Sequence, residues 1–360
     1  MTPYFTFFIL EIGLLAFLAT AKRRITQNFL AFIFIFILIL FAGLRGMVGI
    51  DTASYHLAFE AIDLRTYSFS EWFAFEPLFS AFMIFIRAFL DDPHSFIFFI
   101  ALIQGILIFL ISRKHPNKAV FLALYISGFY IQNQFNIIRA GLAGLFLVYA
   151  YTQKREGKDN TLPLILGSLC HYSAVIAVPF LFDLQHKYRM LALLVIGSAL
   201  LMFMEGFDRI SGKLMYYFID STYFSSGNIE IGPFFIVTLA LILLAHLLAN
   251  RELGYQIHFL IVFVIVLKFM QMRFPVLWRA YDLLYFVWLS ITSYSIGNKF
   301  FSQKSIPLLL ICLISLWYVT FNSLLHESED LLKRSKQTGE VASIVFESPL
   351  VPYRTLFDDH

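Results

Sequence analysis

Apolar residues run along this chain in blocks rather than in alternation, at about 2–20, 29–44, 77–90, 96–111, 117–131, 139–152, 161–183, 190–205, 233–249, 256–270, 274–296 and 306–321. Blocks of this length predict helices, and most of them predict helices that cross a bilayer, whose core takes about 20 residues. The polar positions between them carry the basic residues: Lys22-Arg23-Arg24, Arg113-Lys114 with Lys118, Lys154-Arg155 with Lys158, Lys187 with Arg189, Arg251, and Lys299 with Lys304. The positive-inside rule assigns all of these to the cytoplasmic side. Simple alternation of spans cannot do that, so two blocks must enter and leave on the same side. The candidates are 77–90, which is short, and 161–183, which has His171 near its middle.

A hairpin over 161–183, rising from Lys158 and returning to Lys187, has arms of about 11 residues, or roughly 16 Å at 1.5 Å per residue. It ends short of the far interface. Broken backbone at membrane depth is tolerated only inside protein or beside water, so His171 is expected on the floor of a recessed cavity. If 77–90 is re-entrant or tilted on the outer side, 45–76 and 132–139 fall on the same side as that cavity. The expected organisation is a transmembrane domain over 1–321 with periplasmic segments at 45–95 and 206–232, followed by a periplasmic tail over 322–360. The start, Met1 to Thr20, has neither a basic n-region nor a small-residue cleavage site and is expected to stay as the first span.

Composition agrees with the pattern. Hydrophobic residues make up 59% of the 360 and charged residues 14%, with mean hydropathy +0.75, too apolar for a soluble globule. The expected class is an all-α polytopic integral membrane protein of the cytoplasmic (inner) membrane. Its partners begin with the lipid bilayer. A net charge of +3 is too small to imply a nucleic-acid partner. Cys170 and Cys312 both lie inside apolar runs, which excludes a disulfide framework, and Cys170 reads as a small buried hydrophobe.

Against this background the polar motifs stand out, because a guanidinium near the bilayer centre costs about 2.5–3.5 kcal/mol on insertion scales. Arg45 and Asp51 flank Gly46 and Gly49 just beyond an apolar run, a composition that favours a turn. There Arg45 either aims into a cavity or caps a helix, and Asp51 is either a functional acid or the N-cap of the next helix. Arg139 follows Gln132, Asn133, Gln134 and Asn136; amides suit sugar hydroxyls and an arginine fork suits phosphate. His171 is a general-base candidate, its ordinary pKa being about 6.5, and Ser173 could orient a substrate. Glu76-Pro77 offers a second acid or base, or simply a helix entry. Arg273 and Arg279 flank a further helix start, where Arg279 either pairs with Asp282 or clamps a diphosphate. No P-loop, GxSxG, HExxH or Cys/His metal spacing occurs, which argues against nucleotide hydrolysis and metal-assisted chemistry.

In their order these elements resemble the EpsG/Wzy family of polysaccharide repeat-unit polymerases. Arg45 to Tyr55 is similar to the family's Arg…Gly-Thr-Asp…Tyr, Glu76-Pro77-Leu78-Phe79 to its Glu-Pro-x-Phe, Phe135 to Ala143 to its Asn-x-Ile-Arg-Gln-x-Leu-Ala, and His171-Tyr172-Ser173-Ala174 to its His-x-Ser-Ala. Pro352 to Phe357 is similar to its closing Pro-Tyr-Lys-x-Ile-Phe. Ile50 stands where the family has Thr, and Ala140 where it has Gln. The resemblance implies a GT-C-like architecture of about ten spans that transfers a glycan from undecaprenyl diphosphate to another undecaprenyl-diphosphate-linked repeat unit at the periplasmic or outer face. It makes products for O-antigen, capsule or exopolysaccharide, with no cofactor and no metal, and with a flippase and a chain-length regulator as further partners. In that scheme Arg139, Arg279, Arg273 and Arg45 hold the substrate, with Tyr55, Asn136 and Ser173 beside them, and His171 acts as base with Glu76 or Asp51 as rival. A lipid-linked glycan ligase and a transporter of polyprenyl-linked sugars are the alternatives.

Overall fold

The computed structural model describes residues 2–49, 51–64, 75–174 and 278–297, with isolated positions 265, 314, 317 and 318. The expected helices over 190–205, 233–249, 256–270 and 306–321, the segment 206–232, the tail 322–360 and Arg273 lie outside the described residues, apart from those isolated positions. Among the described residues every regular element is helical: α1 (Thr2–Thr20), α2 (Arg24–Gly43), α3 (Thr52–Glu60), α4 (Pro77–Arg87), α5 (Pro93–Lys114), α6 (Lys118–Tyr125), two π-helical turns (Ile126–Tyr130 and Gln132–Asn136), α7 (Ile138–Arg155), α8 (Thr161–Cys170) and α9 (Trp278–Gly297).

Two of the described helices, α2 and α5, are long and apolar enough to cross a membrane, with mean hydropathies of 2.4 and 2.5. The faces they do not bury are also apolar. On α2, Ala31, Phe34, Ile35, Leu38 and Ala42 are buried while Phe29, Phe32 and Phe36 are exposed, so a polar solvent-facing stripe is missing where a soluble helix would carry one. Lipid is the solvent that suits such a surface, and the chain is an integral membrane protein. Small residues let the helices meet: a Cβ on Gly43 would strike Phe98, one on Gly105 would strike Ile39, and one on Gly144 would strike Phe286.

These contacts make α2 and α5 antiparallel neighbours, and α7 and α8 pair the same way, with Gly167 against Ala143 and Phe146. α7 is apolar on every side and buried from Ile138 through Thr152 with few exceptions, packed among α5, α8 and α9. Lys114 at the end of α5 pairs with Glu156 just past the end of α7 at 3.1 Å. The basic residues 22–24, 113–118 and 154–158 thus gather at one end of the bundle. The loop after α2, the start of α5 and the start of α7 gather at the other.

α8 stops where the sequence expects a break. His171 caps it in extended conformation (φ −157°, ψ 117°) after ten helical residues, which alone reach about 15 Å. α4 is likewise too short to span, at 11 residues. The less expected feature is the join between α6 and α7, where the helix widens into two π turns before breaking at Ile137 (φ −95°, ψ 57°). Carbonyls loosened there need donors, since the segment is buried in protein. Arg45, 1% exposed, serves two of them: its Nη1 donates to Gln134 O and its Nη2 to Phe135 O at 3.5 Å, while Nη1 also donates to Ala42 O of α2 at 3.1 Å. Gln104 of α5 donates to Ile138 O at 3.0 Å, and Asn133 to Phe129 O at 2.8 Å. Gly49 lies so close to Phe135 O, at φ +102°, that only glycine fits.

Arg45→Met removes the buried donors while keeping the bulk, and should cost about 3 kcal/mol from orphaned carbonyls. A lowered thermal midpoint of the purified protein in detergent checks this. An unchanged midpoint would return Arg45 to the substrate-binding set.

Candidate active site

Glu76 is extended (φ −61°, ψ 146°) and caps the start of α4 without bonding its N–H groups. Pro77 explains the backbone, because the residue before proline is held extended. The carboxylate, in a residue 8% exposed, turns instead to Arg139, the second residue of α7. Glu76 Oε2 accepts from Arg139 Nη1 at 2.8 Å. A cation at a helix N-terminus opposes the helix dipole, so Arg139 is held there by its anion.

The other carboxylate oxygen faces His171. Glu76 Oε1 lies 3.9 Å from His171 Nε2, and the backbone N–H of Ser173 donates to Nδ1 at 3.3 Å. With Nδ1 accepting, the ring proton of neutral His171 belongs on Nε2, toward the carboxylate. Burial by itself would raise the Glu76 pKa, but Arg139 first and His171 second outweigh it and hold the carboxyl below its ordinary range. Glu76 is therefore an anion at neutral pH.

Tyr55 of α3 closes the network on the third side. Its hydroxyl lies 3.5 Å from Asp51 Oδ2, and its ring faces the Arg139 guanidinium. Burial pushes its phenol well up, despite Arg139, so it stays protonated and donates. Asp51 does stand at the N-cap of α3, but its side chain makes no capping bond. Asp51, Tyr55, Arg139, Glu76 and His171 thus form one chain of polar groups drawn from four separate motifs.

Sequence reasoning named Tyr55 and quoted Phe79 within a motif but left out Phe75 and the wall that the three rings build around Arg139. Its guanidinium carbon lies 4.7, 5.9 and 6.0 Å from the ring centres of Phe75, Tyr55 and Phe79, and the three rings touch one another. Such rings stabilise a cation without consuming its N–H donors. The i, i+4 spacing of Phe75 and Phe79 around Glu76 was the available signal, hidden among 43 phenylalanines. Arg139 Nε is buried without a hydrogen-bond partner, which leaves the fork with capacity for an anion.

The remaining named residues have other placements. Arg45 holds the helix join described above. Asn136, expected to meet sugar hydroxyls, is buried with its amide donating to Gln132 Oε1 at 3.1 Å. Ser173 contributes its backbone N–H. Arg279 is the second residue of α9, its side chain lying outside the description. Cys170 is buried and forms no disulfide among the described residues. Among the described residues no three His, Cys, Asp or Glu side chains gather as metal ligands.

Breaking one side of this buried pair, as in Glu76→Gln or Arg139→Gln, should cost about 3 kcal/mol, and the double variant should cost less than the sum by about 1–3 kcal/mol. The sign of the pH dependence follows from a carboxyl depressed in the folded state. The coupling is full above the ordinary value of 4.5 and is lost as pH falls below it toward the folded value. A double-mutant cycle of thermal stability in detergent at neutral and acid pH measures both; additive losses at neutral pH would contradict the pair.

Comparison with known proteins was made on the sequence. The chain is 28% identical over 204 residues to the amylovoran biosynthesis protein AmsC of Erwinia amylovora, a match covering 53% of this chain and 54% of that protein. The chain thus spans about half the length of the curated relative it matches. No solved structure matches it. The EpsG family model matches residues 28–336, a stretch that holds α2 from its fifth residue, α3 through α9 and the whole polar network, and the protein belongs to the EpsG family.

Proposed function

We propose that this protein is a membrane glycosyltransferase that polymerises undecaprenyl-diphosphate-linked oligosaccharide repeat units at the outer (periplasmic) face of the cytoplasmic membrane. The observation that carries the reading is Glu76, shared between a caged arginine and a histidine at the broken end of a short helix. Family membership and the similarity to a protein named for amylovoran biosynthesis support the substrate class. The segregation of basic residues to the opposite end of the bundle supports the outward orientation. The full chain crosses the membrane about ten times in this reading, in a GT-C-like arrangement.

The reaction needs a proton acceptor and a sink for phosphate charge. The acceptor sugar's hydroxyl gives its proton to His171 Nδ1, displacing the long contact from Ser173 N–H, while Glu76 facing Nε2 stabilises the imidazolium. The freed oxygen bonds to the donor's anomeric carbon as that carbon's bond to the diphosphate oxygen breaks. The departing undecaprenyl diphosphate takes the electron pair, and its charge falls on Arg139, with Arg279 and Arg273 as further ligands. Glu76 and the aromatic cage keep the Arg139 fork oriented before substrate arrives, so little reorganisation remains for the transition state. Tyr55 holds the fork from its other side, and Asp51 fixes Tyr55.

His171→Ala should lose turnover by about 10²–10⁴-fold while binding of the lipid-linked repeat unit is retained, because a base acts mainly in the transition state. Polymerisation by purified parent and variant, with binding measured separately, tests it. Near-parent turnover in His171→Ala, alongside loss in Asp51→Asn, would move the base to Asp51.

A further inference from the structure

The end of the bundle opposite the polar network carries a cleft that the proposed reaction does not use. It has a volume of about 270 Å³ and is lined by Arg24 and Asn28 of α2 and by Leu110, Arg113 and Lys114 of α5. Lys118, at the start of α6, is buried close enough to feel the charges of both Arg24 and Arg113. Four cations therefore converge from three helices. Among the described residues, Glu156 serves Lys114 at 3.1 Å and Lys158 at 2.8 Å. Arg24 and Arg113 have no ion pair among the described residues, Arg113 resting only against the Phe109 ring.

Positive charge at a membrane face is ordinary as a topology signal, but that signal asks only for charges in loops. It does not ask for them around a cavity. Arg24 also sits in the first turn of a 20-residue helix, where the dipole disfavours a cation and favours an anion. Asn28, one turn on, has a buried amide oxygen that accepts no hydrogen bond, so its amide is unspent and can turn its NH₂ to an anion. Two forks, an ammonium and an amide around a cleft of this size match one tetrahedral anion with its substituents.

We propose that this cleft binds a phosphate group, as carried by an anionic phospholipid headgroup of the adjoining leaflet or by a soluble phosphorylated compound. Bound phosphate neutralises the cluster and ties α2 to α5 at the end remote from the Glu76–Arg139 pair. The site does not depend on the proposed glycosyl transfer.

The test uses the full-length protein in nanodiscs of neutral lipid, with thermal midpoint as the readout. Phosphatidylglycerol is titrated into the bilayer in one arm and inorganic phosphate into the buffer in the other. Parent protein should be stabilised in at least one arm, and the arm that responds names the source. In Arg24→Gln/Arg113→Gln the concentration needed for half the effect should rise roughly thirtyfold. Lys22→Gln/Arg23→Gln removes the same charge from the same helix end outside the cleft and should leave the titration near the parent's. No stabilisation in either arm, or equal losses in the two double variants, would overturn the site.

Discussion

A helix that breaks where it is buried in protein must have its loosened carbonyls satisfied from within, and much of what is ordered here depends on that requirement being met between α6 and α7. Arg45 meets it by reaching from the end of α2 to Gln134 and Phe135, with Gln104 and Asn133 completing the set. The π turns that create the demand also offset α7 from α6. As a result α7 begins beside α4 and α8, with Arg139 one residue inside it. Arg45 and Gln104 together pin the join on both sides of the break at Ile137, and so fix where Arg139 emerges.

The second dependence is electrostatic. A guanidinium at a helix N-terminus, walled by three aromatic rings, is in a place where both dipole and desolvation count against it. Glu76 offsets both, and does so with one oxygen while the other faces His171. The two halves of the polar network therefore share a single carboxylate. Removing or neutralising it disturbs the cation and the histidine together, which links the stability of the site to its chemistry.

Much of this was legible in the chain because its cause is local. The ends of α1, α4 and α5 follow the apolar runs and their prolines, and the stop at His171 follows from a run of polar residues within an apolar block. Bringing 45–76, 132–139 and His171 together required only the distribution of Lys and Arg. What was not legible is direction. Arg45 and Arg139 look alike in sequence, each an arginine within two residues of a glycine at the edge of an apolar run, yet one is consumed by main-chain carbonyls and the other faces a carboxylate. The amides of 132–136 look like ligands for a sugar, but π-helical backbone turns Asn133, Gln134 and Asn136 inward, and nothing in composition announces a π turn. Phe75 and Phe79 were invisible as a cage because aromatic residues are everywhere in this chain.

The account's central claim is that the Arg139 fork, held by Glu76 and its aromatic walls, receives the diphosphate of a lipid-linked glycan. Equilibrium binding of an undecaprenyl-diphosphate-linked repeat unit to purified parent and Arg139→Lys in detergent tests this directly. A lysine keeps the charge but not the planar fork, so affinity should fall by about tenfold or more, while the variant remains folded. Unchanged affinity in Arg139→Lys would contradict the claim and leave Arg139 as the structural partner of Glu76.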